Sequence, residues 1–151
     1  MLRLLFVCHA PSENTRRLRD AAVAGANISD SVQLILRDTL AAGPEDVMAA
    51  DALLIGTTEN FGSIAGLTKD FFERIYYPCL ESTEGMPFAA FVRAGQDGHG
   101  SLQAIDRITT GLRWRPVQPP LLLHGSFQET FVEQVSTLSA TLTAGLDAGI
   151  Y

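Results

Sequence analysis

The chain predicts an α/β protein, a three-layer sandwich in which a five-stranded parallel sheet of order 2-1-3-4-5 is covered by helices on both faces. Three observations lead there. Five short apolar runs alternate with segments of helical periodicity. The first of these runs is apolar almost throughout, as a strand buried on both sides must be. Right-handed crossovers then leave few ways to wire five βα units. At 151 residues the whole chain, 1–151, reads as one domain with room for a substantial core.

Leu2 to Cys8 is the first strand. MLRLLFVCHA has too short an apolar stretch for a signal peptide and no small-residue cleavage site after it. Beyond the polar stretch His9 to Thr15, the apolar Leu18, Ala21, Ala22 and Gly25 recur at helical spacing, and Gly25 and Asn27 can end that helix. Ser31 to Arg37 is the second strand. Pro44, Glu45 and Asp46 suit the first turn of a short helix, because proline loses no needed N–H there and carboxylates favour the positive end of the helix dipole. Ala52 to Gly56 forms the third strand. In the next helix Leu67, Phe71 and Ile75 share a face with Phe72 and Tyr76, Asp70 can pair with Arg74, and Pro78 is expected to stop it. Pro87 to Arg93 is the fourth strand and Ser101 to Leu112 the fourth helix. Val117 to His124 is a fifth strand, whose Pro119 and Pro120 suit a sheet edge. Ser126 with Glu129 reads as a capping box for the last helix, in which Phe127, Phe131, Val135, Leu138, Leu142 and Leu146 repeat every three or four residues.

The composition narrows the function. With 46% hydrophobic and 19% charged residues and no long apolar run, nothing in the chain reads as a membrane span. A net charge of −6 argues against nucleic acid, which demands a concentrated basic face. Arg16, Arg17 and Arg19 form the one basic cluster and read as a solvated helix face, with the phosphates of a nicotinamide cofactor as the alternative. Two cysteines, Cys8 and Cys79, do not make a secreted disulfide framework, so a reducing cytoplasm is expected. His9, His99 and His124 lie at the ends of different strands, too dispersed for a metal site.

In open parallel sheets the ligand sits beyond the carboxyl ends of the strands where the strand order reverses, here between the first and third strands. Three loops meet there: 9–15, 57–66 and 94–100. The first runs from a strand into a helix, whose free N–H groups and dipole attract an anion, with Ser12, Asn14 and Thr15 adding side-chain donors. The loop contains no lysine or arginine and lacks the Walker pattern, so it suits a monophosphate better than a triphosphate. In the second, Gly62 lets backbone approach a flat ring, Glu59, Asn60 and Ser63 offer polar contacts to its edge, and Phe61 can pack on its face. Ala94-Gly95-Gln96-Asp97-Gly98-His99-Gly100 again permits close backbone approach. Cys8 invites comparison with low-molecular-weight cysteine phosphatases, but the arginine of Cys-x5-Arg is Asn14 here, and a thiolate without that partner cannot hold phosphate. A receiver domain is excluded because Gly56 and Thr57 stand where its phospho-acceptor aspartate would be.

These residues carry a resemblance. Residues 10–15, APSENT, resemble the phosphate loop of flavodoxins and related FMN reductases. Residues 56–78, GTTENFG followed by SIAGLTKDFFERIYYP, resemble the flavin-ring loop and succeeding helix of the flavodoxin-like NAD(P)H-dependent FMN reductase family. The resemblance implies a flavodoxin-like fold with FMN held by Ala10, Ser12, Glu13, Asn14 and Thr15 at its phosphate and by Thr57, Thr58, Glu59, Asn60, Phe61, Gly62 and Ser63 beside its ring. Gly95, Gln96, Asp97, Gly98 and His99 would form the third flavin loop. Ala10 stands where a hydroxyl is common and Glu13 where glycine is common, which sets a carboxylate near a dianion. The implied activity is NAD(P)H-dependent oxidoreduction on the flavin, with NAD(P)H as co-substrate, no catalytic side chain, no metal, and a homo-oligomeric assembly. A flavodoxin-type electron carrier with a redox protein partner, or a flavin-free interaction module on the same fold, are the alternatives.

Overall fold

The structure is a computed structural model describing residues 1–151. The parallel strands are β1 (Leu2–Cys8), β2 (Val32–Asp38), β3 (Ala52–Asn60), β5 (Pro87–Ala94), β6 (Arg115–Pro116) and β7 (Leu121–His124). β4 (Ser63–Ile64) folds back antiparallel on the end of β3. The sheet runs β2-β1-β3-β5, with β6 and β7 both beside β5, so the expected order is observed with its fifth strand in two pieces. The break falls at Pro119 and Pro120, which have no N–H to give the ladder.

The helices are α1 (Glu13–Ala26), α2 (Pro44–Met48), α3 (Gly66–Cys79), α4 (His99–Gly111) and α5 (Glu129–Asp147). Successive strand residues face opposite sides of a sheet, and the core divides accordingly. Leu5, Val7, Leu53 and Ile55 pack under α2, α3 and α4, while Leu4, Phe6 and Leu54 pack under α1 and α5. Gly25 permits α1 and α5 to close on each other: a Cβ there would lie 2.2 Å from the Ser136 carbonyl oxygen. Trp114 is buried between Phe72 and Phe88 and donates its indole N–H to Thr83 Oγ1 at 2.8 Å.

Of the expected fifth strand, Val117 to Pro120 lie outside β6 and β7, β2 and α4 shift by one or two residues, and three further boundaries differ for a physical reason. α3 passes through Pro78 to Cys79, since a proline one residue from the end costs a single intrahelical bond. The third strand continues past Gly56 to Asn60 because its end is paired by β4. The last helix is capped at Gln128 without a side-chain bond, and the Ser126–Glu129 capping box is not formed. The turn at Gly125 has φ +86°, and Arg93 holds the Gly125 carbonyl, so the chain cannot enter the helix as early as Ser126.

Candidate functional site

β1, β3 and β5 end side by side, and the three loops expected to meet there do so. β1 delivers the chain into α1 through residues 9–12. Ser12 is the N-cap: its Oγ accepts from the Thr15 N–H at 3.2 Å, and Thr15 Oγ1 accepts from the Ser12 N–H at 2.9 Å. This reciprocal box uses two of the donors of the first turn. The N–H groups of Glu13 and Asn14 have no acceptor in the chain and remain free at the positive end of a 14-residue helix. Asn14 and Glu13 are both exposed, one bearing an amide and the other a carboxylate.

Beyond β3 the chain reverses over Asn60-Phe61-Gly62-Ser63. Phe61 has φ +53° and Gly62 φ +78°, the pair of left-handed conformations of a two-residue type I′ hairpin. Asparagine is the usual first residue of such a turn, and a bulky side chain there is strained. Phe61 is also the most exposed large hydrophobic residue of the chain, its ring wholly in solvent. A strained, solvated phenylalanine has a local cost with no local return, which is the pattern of a contact made to something else. Phe61→Gly is therefore expected to stabilise the isolated protein by about 0.5–1 kcal/mol, because the relief of left-handed strain exceeds the added flexibility of glycine. Urea unfolding measures this, and a loss of stability would contradict it.

The hairpin is braced from beneath. Thr57 Oγ1 and Thr68 Oγ1 share a buried 2.6 Å hydrogen bond, Thr58 Oγ1 donates to Asn60 Oδ1 at 2.6 Å, and the Ala65 N–H donates to the Thr58 carbonyl. Ser63 pairs with Asn60 in the hairpin ladder. The third loop is tied to it directly: the Glu59 carboxylate accepts from the Gln96 N–H at 3.0 Å and the Gly98 N–H at 2.8 Å. Gly98, at φ +70°, tucks against Leu122, and Asp97 accepts from the His99 N–H. Gly95, Gln96, Asp97 and His99 are exposed.

Two residues of this region have roles that the sequence reading did not assign them. A Cβ on Gly100 would lie 1.7 Å from the Gly62 carbonyl oxygen, so only glycine lets α4 abut the hairpin. The signal was its place at the end of a glycine-rich loop. Arg93, at the end of β5, donates to the Ala94, Leu123 and Gly125 carbonyls and lies over the rings of Phe127 and Phe131. Burial lowers its pKa. No local pattern pointed to it.

Of the basic cluster, Arg17 is bound to Glu129 through two hydrogen bonds and Arg19 to Asp20, while Arg16 is exposed. Cys8 faces the α1–α5 side of the core. Burial pushes its thiol from 9.0 to about 12, with Arg19 opposing and Asp38 and Asp20 reinforcing. Its folded pKa thus lies above the unfolded one, so stability is fully present below pH 9.0 and is lost as pH rises towards about 12. Cys79 is buried and shifted in the same direction by burial and then Glu45, and both cysteines are free. Neither is expected to react with iodoacetamide in the native protein at pH 8, whereas both do in denaturant; native labelling of Cys8, read by mass spectrometry, would contradict this.

The space between the three loops is an open ledge: no residue of 9–15, 57–61 or 94–99 lines any of the principal cavities. The free Glu13 and Asn14 N–H groups and the exposed Phe61 are the features of this ledge that could hold a ligand. The donor set fits a phosphate monoester bearing a flat ring, against which the Glu13 carboxylate acts.

No family profile matches the chain. It is 27% identical over 112 residues, 74% of its length, to a curated flavodoxin of Aquifex aeolicus, and the match spans 60% of that protein. A solved flavodoxin from the domain Archaea superposes with a TM-score of 0.82 at 15% identity, covering 97% of this chain and 99% of the other. The fold is flavodoxin-like. An NADH:FMN oxidoreductase in its apo form also has this flavodoxin-like architecture, with a TM-score of 0.75 at 15% identity over 96% of this chain and 90% of the other. No helix of the flavodoxin-like chain is long and apolar enough to cross a membrane.

Proposed function

We propose that the protein binds FMN on the ledge at the ends of β1, β3 and β5 and transfers electrons through it. The observation that carries this reading is the pairing of the free Glu13 and Asn14 N–H groups at the start of α1 with the exposed, left-handed Phe61 at the hairpin tip. These flank the switch point of the sheet, where ligands of open α/β folds bind. Bound FMN would supply hydride and electron exchange, so no nucleophile or acid is required of the side chains. The first turn of α1 holds the phosphate, with Asn14 as an added donor. Phe61 covers one face of the ring, and the loop 95–99, fixed by Glu59, forms its other border. The whole set Ala10, Ser12 to Thr15, Thr57 to Ser63 and Gly95 to His99 surrounds this ledge, some of it as bracing.

Titration of the purified protein with FMN is expected to quench flavin fluorescence and yield a yellow protein, and Phe61→Gly is expected to bind less tightly. Unchanged fluorescence at millimolar protein would overturn the reading. The resemblance of residues 56–78 favours an NAD(P)H-dependent oxidoreductase, and the similarity to a curated flavodoxin favours an electron carrier. Anaerobic addition of NADH and NADPH to the FMN-loaded protein decides: direct bleaching of the flavin identifies the oxidoreductase, and bleaching only with a reductase protein identifies the carrier.

A further inference from the structure

The hairpin has a second side. Gly62, Ser63 and Ile64 also border a cavity of about 400 Å³ that has α4 as its other wall and that no residue of 9–15, 57–61 or 94–99 lines. Lys69 of α3 and Arg107 of α4 both line it. Lys69 and Ile108 also line an adjoining cavity of about 300 Å³ between α3 and α4, walled by Phe72, Tyr76 and Tyr77. The two form one groove, cationic at the hairpin end and aromatic at the other.

Lys69 is the only lysine of the chain. Neither it nor Arg107 takes part in any of the six ion pairs or any side-chain hydrogen bond, although the chain carries a net charge of −6. Of the acids on α3, Asp70 is taken by Arg74, and Glu73, one turn beyond Lys69, forms no ion pair with it. Two cations that converge on one cavity while neighbouring arginines are neutralised make an anion site, with Arg107 offering a planar fork and Lys69 a point charge. The far end differs. Tyr77 is largely exposed, with its ring set edge-on to Tyr76 at 5.4 Å, and Glu73 lies beside them. That end repels an anion but suits a flat ring with outward-facing hydroxyl or amino donors.

We propose that this groove binds a nucleotide: phosphates between Lys69 and Arg107, and the base against Tyr76 and Tyr77 with Glu73 accepting from its sugar or amino group. Ser63 and Gly62 are shared with the hairpin, so occupancy would be felt at Phe61. The assignment does not depend on FMN binding at the ledge.

ADP, pyrophosphate and adenosine are the probes, with binding measured by calorimetry and located by amide chemical shifts. ADP is expected to bind at or below millimolar concentration and to shift residues 62–64 and 100–108. Lys69→Gln with Arg107→Gln is expected to weaken it by about tenfold or more, as the loss of two charge-assisted contacts requires. Both side chains are exposed and unpaired, so the double variant should fold, and its unfolding curve checks this. Tyr77→Ala is expected to weaken ADP but not pyrophosphate, and Arg16→Gln to change neither. Adenosine bound as tightly as ADP, affinity unchanged in the double variant, shifts confined to residues 9–15 and 57–61, or no binding at millimolar ADP would each overturn the proposal.

Discussion

Replacing Glu59 with alanine is expected to release the third loop and to cost the protein about 2–3 kcal/mol, since two hydrogen bonds to an ionised acceptor are lost from a partly solvated position. The Glu59 carboxylate is the only acceptor of the Gln96 and Gly98 N–H groups. Glu59→Gln keeps one carbonyl oxygen and is expected to cost about half as much. Hydrogen exchange locates the effect: the Gln96 and Gly98 amides should exchange about 30-fold faster in the alanine variant if 2 kcal/mol of local protection is removed. Amides of β1 and β3 should respond only to the global change. Exchange unaltered at 96 and 98 would mean that the loop is held by something else.

The same substitution acts on FMN binding through two opposed effects, and their sizes decide between them. Freeing two N–H groups offers the ligand about 1 kcal/mol each in neutral hydrogen bonds. Ordering residues 95–98 again on binding costs about 1 kcal/mol or more for each of four residues. The ordering cost is larger, so Glu59→Ala is expected to lower FMN affinity by about tenfold or more despite the added donors.

The layers of this fold were legible because they rest on long, one-dimensional patterns. Leu2 to Cys8 could only be a buried strand, and the Phe131 to Leu146 repeat could only be a helix laid on a core. The place proposed for the ligand follows from strand order alone. Element ends were harder, because each is decided by a partner distant in sequence: β3 runs to Asn60 through pairing with β4, and the Ser126 cap is lost to Arg93. Side-chain roles split in the same way. Ser12 and Thr15 were recognisable as helix-start residues, being neighbours. Glu59, expected at the ring edge, spans 37 and 39 residues to clamp amides, a relation that no local motif records. Phe61 was placed beside a ring face from the resemblance, whereas its strain appears only in the backbone angle.

Arg93 shows how much of the ledge depends on a residue outside it. Its guanidinium donates to Ala94 O at 2.6 Å, Leu123 O at 3.0 Å and Gly125 O at 2.7 Å, joining the ends of β5 and β7 to the turn before α5. It lies 5.8 Å from the Phe127 centroid and 5.2 Å from that of Phe131. Arg93→Met keeps the stem but removes three donors and two cation–π contacts, which together are expected to cost about 3–4 kcal/mol once partial rehydration of the carbonyls is allowed for. Arg93→Lys retains the charge but not the fork, so its one nitrogen cannot occupy the two positions from which Nη1 and Nη2 reach the three carbonyls, and a loss of about 2 kcal/mol is expected. Urea unfolding gives both numbers. Met and Lys variants of equal stability would show that the charge matters little and that the stem supplies the packing. The expected gap between them instead assigns the turn at Gly125, and with it the late start of α5, to the geometry of the guanidinium.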